Sequence, residues 1–176
     1  VTFNKYSLRD LDRVHLRDMI GKNVSTEDVF EGTILDNILV GKPSIDEKVA
    51  MRAIQLVGLE HKINSLSDGL QTSIMSGGKG YSNSFIHRLI LARCIAKNPN
   101  VLILNNFFEK FSKSEKMELM QMLTDRDQHW TLLVVSNDPL IIAACDRGIY
   151  LKNGEIIASG TIKELLKIDE IVKNLN

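Results

Sequence analysis

The sequence predicts an α/β fold: a mostly parallel sheet with helices on its faces, a helical insertion and a C-terminal β-hairpin. Val101–Leu104 is a short, continuous apolar run, typical of a strand buried on both faces of a sheet, and Trp130–Val135 predicts a second buried strand. Helical patterns alternate with these runs, and such alternation favours a parallel sheet. Because ligands of these folds bind beyond the carboxyl ends of the strands, the residues after the two runs are the first candidates for a functional site.

Helices are predicted from capping residues and from the spacing of apolar residues. A short strand and a polar loop are expected before the first of them. The segments predicted as helical are Leu8–Ile20, part of Ser44–Leu59, the stretch capped by Ser82 with Phe85, Leu89, Ala92 and Ala96 on one face, Ser112 to about Thr124, Pro139–Cys145, and a last pair of helices after Thr161.

The hairpin is predicted from its turn. Asn153-Gly154 is a strong two-residue turn signal between the strand-like segments Gly148–Leu151 and Glu155–Ala158.

Composition excludes several classes of function. The chain has 22 basic and 22 acidic residues, so bulk electrostatic attraction to nucleic acid is not expected. Apolar runs stay well short of a membrane span, so the chain alone is expected to be soluble. Its two cysteines, Cys94 and Cys145, and its four histidines lack metal-ligand spacing and predict no metal site. The absence of an initial methionine is typical of a fragment or a processed chain.

Several segments carry a resemblance to a known family. They are, in chain order, Phe30–Ile34 with Asp36–Ile38, Leu66–Thr72, Leu89–Arg93 with Pro99 and Val101–Leu104, Asp146-Arg147 with Asn153–Ile156, and Ser159–Thr161. Together they resemble successive segments of the nucleotide-binding domain of ATP-binding-cassette (ABC) exporters, over residues from about 22 to 166. The resemblance implies an ABC ATPase-like fold whose N-terminal phosphate-loop part is absent from this chain.

The resemblance also implies how the chain is organised. Residues 1–36 correspond to the end of the core, residues 37–98 to a helical subdomain that includes the signature helix, and residues 99–176 to the remainder of the α/β core. Gly-x-x-x-x-Gly-Lys-Ser/Thr, the phosphate-binding loop, does not occur in the sequence.

The signature motif of the family has two candidate positions. Ser76-Gly77-Gly78-Lys79 looks like it, but Ser76 precedes Arg93 by seventeen residues, whereas Ser82 precedes Arg93 by eleven, the spacing that the resemblance implies. The signature position then contains Tyr81, Ser82, Asn83, Ser84 and Phe85, and only the serine matches. Side chains in place of glycines should hinder close approach of a phosphate to the helix N-terminus. An ordinary capped helix is the alternative interpretation.

The candidates for nucleotide contact are therefore few. They are Thr26, at the position of the glutamine loop, and Tyr81, Ser82, Asn83, Ser84 and Phe85.

The catalytic positions implied by the resemblance are all replaced. The Walker B aspartate falls at Asn105 and the glutamate that polarises water at Asn106. The switch histidine falls at Asn137 and the D-loop aspartate at Ser112. A neutral amide cannot take a proton from water or supply negative charge to a magnesium site. Loss of a general base lowers the rate by a factor on the order of 10²–10⁴. Because all four positions are replaced, no intact catalytic residue is predicted.

Three functions remain open from the sequence. The first is a non-hydrolysing structural or regulatory half of an ABC exporter. The second is part of a working ABC transporter ATPase whose phosphate loop lies upstream, and the third is an interaction module without nucleotide. The resemblance implies ATP and Mg²⁺ in the full-length protein but none for this chain alone. It also implies a transmembrane domain and a second nucleotide-binding domain as partners, no nucleic acid, and a place at the cytoplasmic face of the cell membrane.

Overall fold

The computed structural model describes residues 2–3, 5–7, 9–10, 12–23, 28–40, 46–168, 171 and 173. The strands are β1 (Thr2–Phe3), β2 (Tyr6–Ser7), β3 (Ile20–Asn23), β4 (Gly32–Thr33), β5 (Ser73–Ile74), β6 (Val101–Asn105), β7 (Thr131–Val135), β8 (Arg147–Lys152) and β9 (Glu155–Thr161). The helices are α1 (Arg13–Asp18), α2 (Ile34–Leu39), α3 (Glu47–Leu56), α4 (Glu60–Asn64), α5 (Asn83–Ile95), α6 (Lys113–Leu123), α7 (Pro139–Ala143) and α8 (Ile162–Leu165). The predicted α/β class is confirmed.

The chain divides into two compact units. The first comprises Val1–Lys110 and His129–Val134, and the second comprises Phe111–Gln128 and Val135–Asn176. The domain boundaries implied by the family resemblance remain a prediction.

The first unit is built on a three-stranded sheet in the order β3-β6-β7. Strands β3 and β6 run parallel, with Ile20 opposite Val101 and Asn23 opposite Leu104. Leu102 and Leu104 are fully buried, as the continuous apolar run predicts.

Helix α5 is the centre of this unit. The sequence predicted one apolar face, but nine of its thirteen residues are buried, and they lie on all sides of the helix. A helix that is apolar all round is buried all round. Close packing against the sheet follows: a Cβ added to Gly21 of β3 would lie 3.0 Å from the Cys94 carbonyl oxygen of α5.

Two predicted elements of this unit are wrong in detail. The helix expected over Leu8–Ile20 is reduced to α1, which buries none of its residues and begins at its cap Asp12. Ile20 instead opens β3, because pairing with β6 competes successfully with the helical pattern. Strand β7 is not the doubly buried strand that was predicted, since Leu133 and Val135 are 50% and 52% exposed.

The second unit contains α6, α7, the hairpin β8–β9 and α8. The hairpin has the predicted turn, with Asn153 and Gly154 both at positive φ and Lys152 paired with Glu155. One small cluster of buried residues, Ile162, Leu165 and Ile171, packs against Tyr150 and Ala158 of the hairpin. Of the expected last pair of helices, α8 is present, and the second falls mostly on residues outside the described part of the chain.

Candidate functional site

The two strand-end positions lie where the sequence predicts them. Asn105 is the last residue of β6, and Asn137 lies two residues beyond Val135, the end of β7. Asn106 has a left-handed backbone with φ of 50°, and Phe107 and Phe108 follow in a 3₁₀ turn with buried rings. The chain beyond β6 is therefore anchored by aromatic packing directly after the two amides.

Chemistry at the end of β6 does not fit a magnesium ion. Mg²⁺ in proteins is bound through carboxylates, with water and phosphate oxygens completing the octahedron. Asn105 and Asn106 offer neutral amides instead. Over the described residues, no group of three or more histidine, cysteine, aspartate or glutamate side chains is arranged to hold a metal.

The residues where the resemblance implies a signature motif form a capped helix start. Ser82 is the N-cap of α5, and its Oγ accepts a hydrogen bond of 3.2 Å from the Phe85 N–H. The Phe85 ring is 5% exposed and stacks on Tyr81 with ring centroids 4.5 Å apart. The prediction that Ser82 rather than Ser76 begins this helix is confirmed. One N–H of the first turn is thereby occupied by the cap, and Phe85 contributes to the core.

Of the remaining nucleotide-contact candidates, the structure describes two, Asn83 and Ser84. Asn83 is exposed and Ser84 is half-buried in the first turn of α5. Thr26 lies outside the described residues.

Gly77 and Gly78, the pair that imitates a signature motif, lie in a 3₁₀ turn before α5. Both have positive φ, 71° and 66°. A Cβ on Gly78 would lie 2.1 Å from Ile86 Cδ1 and 3.2 Å from Val29 Cγ2. The glycines are thus explained by the turn and its packing on α5, without any ligand.

Sequence reasoning missed a clamp between the segment at residues 28–37 and α5. Arg93 donates from Nε to the Asn37 carbonyl (2.7 Å), from Nη2 to Asn37 Oδ1 (3.0 Å) and from Nη1 to the Asp28 carbonyl (3.1 Å). Its guanidinium carbon lies 5.7 Å from the centroid of the Phe30 ring. Asn37 Nδ2 donates to the Phe30 and Thr33 carbonyls, and Asn37 Oδ1 accepts from the Phe30 N–H. No local sequence signal indicates partners 56 residues apart.

His87, on the same helix, faces a mixed environment. Its ring lies edge-on to Phe107, with centroids 6.3 Å apart. Burial, and secondly the charge of Lys110, lower the pKa of His87, while Asp28 acts in the opposite direction. These effects favour the neutral imidazole.

In the second unit, Ser112 and Asn137 are exposed residues next to hydrogen-bonded polar groups. Ser112 caps α6 in a capping box with Glu115, as predicted. Asp138, next to Asn137, caps α7 and forms an ion pair of 2.6 Å with Lys116. Lys116 and two hydrogen-bonded amides of α7 lower the pKa of Asp138 despite its partial burial.

The chain is similar in sequence to ATP-binding proteins of ABC transporters. YwjA of Bacillus subtilis, an uncharacterized ABC transporter ATP-binding protein, is 26% identical over all 176 residues, which span 31% of its length. Staphylococcus aureus has a "Putative multidrug export ATP-binding/permease protein" that is 25% identical over 166 residues, 94% of this chain and 29% of its own. No family model matches the chain.

A solved structure shows the same fold. A bacterial Atm1-family ABC exporter with ATP bound superimposes with a TM-score of 0.87 over 97% of this chain, at 20% identity. The ABC ATPase-like fold predicted from the sequence is therefore confirmed. The chain spans about a third of the length of these ABC proteins. Among the described residues, every helix is too short or too polar to cross a lipid bilayer.

The left-handed backbone at Asn106 gives a testable prediction. Asparagine tolerates this conformation, whereas other side chains with a Cβ strain it by about 1 kcal/mol or more. We expect Asn106→Glu to lower the free energy of unfolding by about 1 kcal/mol and Asn106→Gly to leave it unchanged. Urea denaturation of both variants measures this, with Asn105→Asp as the control outside the left-handed region. Equal losses in the glycine and glutamate variants would contradict the backbone explanation.

Proposed function

We propose that this chain is part of the ATP-binding domain of an ABC exporter, and that it serves as a non-hydrolysing structural or regulatory half. The observation that carries the proposal is the end of β6, where Asn105 and Asn106 stand in an ABC ATPase-like fold. At the strand end where the resemblance implies a metal-orienting aspartate and a water-polarising glutamate, both groups are neutral amides. Asn137 and Ser112 extend the same replacement to two further positions.

Several features support a structural role alongside these losses. Ser82 caps α5 with its hydroxyl, and Phe85 lies in the core, so the signature position stabilises the fold. The clamp from Arg93 to Asn37 fixes the segment at residues 28–37 against the same helix. These contacts preserve the fold of the domain. A domain folded in this way can serve a structural role without hydrolysing ATP.

The partners are proposed from the names of the relatives. The Staphylococcus aureus relative is named an ATP-binding/permease protein, so we propose a transmembrane domain and a second nucleotide-binding domain as partners. The segment around residues 26–38 is the proposed contact with the membrane domain. In the complete protein, ATP and Mg²⁺ would be bound with the help of groups from outside this 176-residue chain. The proposed location is the cytoplasmic face of the cell membrane.

Calorimetric titration of the 176-residue chain with Mg-ATP tests its own nucleotide affinity. We expect no saturable binding at low millimolar concentration. A serine and several amides supply a few hydrogen bonds of about 1 kcal/mol net each, less than the roughly 4–15 kcal/mol needed to immobilise a ligand. Ser82→Ala is the matched control and should give the same flat titration. Saturable binding that Ser82→Ala abolishes would show a nucleotide site at α5 and contradict this expectation, while the lack of hydrolysis is tested separately by turnover.

A further inference from the structure

A chain of hydrogen bonds connects two of the replaced positions within the second unit. It begins at Ser112, whose carbonyl accepts from the Lys116 N–H at 2.9 Å in the first turn of α6. Lys116 Nζ donates to Asp138 Oδ2 at 2.6 Å. The Asp138 N–H in turn donates to Ser136 Oγ at 3.1 Å. Asn137 lies between these last two residues, so its loop is bonded on both sides.

Asp138 uses both carboxylate oxygens in this arrangement. While Oδ2 accepts from Lys116, Oδ1 accepts from the Leu140 N–H at 2.9 Å and so caps α7. The side chains of Lys116 and Asp138 are only 18% and 23% exposed. A partly buried ion pair is screened less by solvent and salt than a surface pair. Salt should therefore weaken the bond from α6 to the loop less than it would weaken a fully exposed ion pair.

Helices α6 and α7 pack side by side around this ion pair. Lys116 and Met120 of α6 line the groove between them together with Leu140 and Ile141 of α7. The stem of Lys116 is thus held by packing while its ammonium group reaches the carboxylate. A side chain held in this way can transmit a displacement of one helix to the other.

We propose that Lys116 is a positioning residue that couples the loop at Ser112 to the loop at Asn137. Through Asp138 it makes the start of α6 and the start of α7 move as one body. The two loops therefore respond together to whatever binds at either of them. The significance of positions 112 and 137 rests on the proposed function, whereas the coupling itself is a property of the second unit.

NMR amide shifts of the 176-residue chain at neutral pH, without nucleotide, test the coupling. Asp138→Asn should shift the Ser112 amide and the Asn137 side-chain amide in the otherwise unchanged chain. In a Lys116→Met background, which keeps the apolar stem but removes the charge, Asp138→Asn should no longer shift the Ser112 amide. Lys116→Arg should restore the response. Lys113→Met, at an exposed position of the same helical turn, is the matched control and should leave the response intact.

The same variants give a second readout. Lys116→Met should raise the pKa of Asp138, because the hydrogen bond and the positive charge of the lysine are removed, and Lys113→Met should not. If Lys116→Met does not fold, the Ser112 amide of the unchanged chain should still follow the titration of Asp138 below its ordinary pKa. The coupling would be overturned if the chemical shift of the Ser112 amide did not change on Asp138→Asn. It would also be overturned if that shift changed equally without the Lys116 charge. Because no nucleotide is present, that outcome would leave the proposed function standing.

Discussion

Replacing Gly78 by alanine should lower the free energy of unfolding by about 3 kcal/mol, from a strained left-handed backbone and an overpacked contact. The backbone has φ of 66°, and the added Cβ would overlap Ile86 Cδ1 at 2.1 Å. Ile86 is buried in the first turns of α5, so its side chain has little room to move away. Urea denaturation measures the loss.

Gly77→Ala is the matched control for this effect. Gly77 has nearly the same φ, 71°, but the nearest atom to an added Cβ is Asp28 Oδ2 at 3.7 Å. Only the backbone term remains, about 1–2 kcal/mol. Equal losses in the two variants would show that packing on Ile86 does not set the requirement for glycine.

Replacing Asn37 by leucine should also cost about 3 kcal/mol, because several buried polar groups lose their partners at once. Asn37 is fully buried. Its amide bonds the Phe30 N–H, the Phe30 and Thr33 carbonyls and one Arg93 nitrogen. Leucine has a similar volume, so the loss reports hydrogen bonds rather than a cavity. Thermal and urea unfolding measure the change.

Asp36→Ala provides the comparison on the same helix. Asp36 is exposed and completes the capping box with Thr33, whose hydrogen bonds lower its pKa. Its loss should cost less than the loss of the buried Asn37 amide, because water replaces the hydrogen bonds of an exposed capping box. If Asn37→Leu lowered the free energy of unfolding no more than Asp36→Ala, the clamp would not hold the segment at residues 28–37 against α5.

Local chemistry was readable from the sequence because its partners are close along the chain. The caps at Ser82, Ser112 and Thr161 each bond an N–H three residues later. The hairpin was predictable from Asn153-Gly154 because the two residues that the turn pairs, Lys152 and Glu155, are its direct neighbours. The strand-end positions of Asn105 and Asn137 followed from the length of the apolar runs.

Tertiary partners were not readable in this way. Strand β3 contains Gly21 and Lys22 and lacks a strand pattern, and it forms because β6 pairs with it. The exposure of Leu133 depends on what lies against β7, which periodicity does not encode. Arg93 was recognised only as part of a motif, since its partners lie far along the chain. The ion pair between Lys116 and Asp138 could not be predicted either, because it depends on the packing of α7 beside α6.

ATP turnover by the complete polypeptide that contains this chain tests the central claim most directly. Phosphate release is measured for the unmodified protein and for the double variant Asn105→Asp/Asn106→Glu, after unfolding experiments have established that the variant is folded. We predict no turnover above background in the unmodified protein. A rise on restoring the carboxylates is expected where a phosphate loop is present and the rest of the site is assembled, since a general base is worth on the order of 10²–10⁴ in rate. Robust turnover in the unmodified protein that Asn106→Ala abolishes would contradict the account.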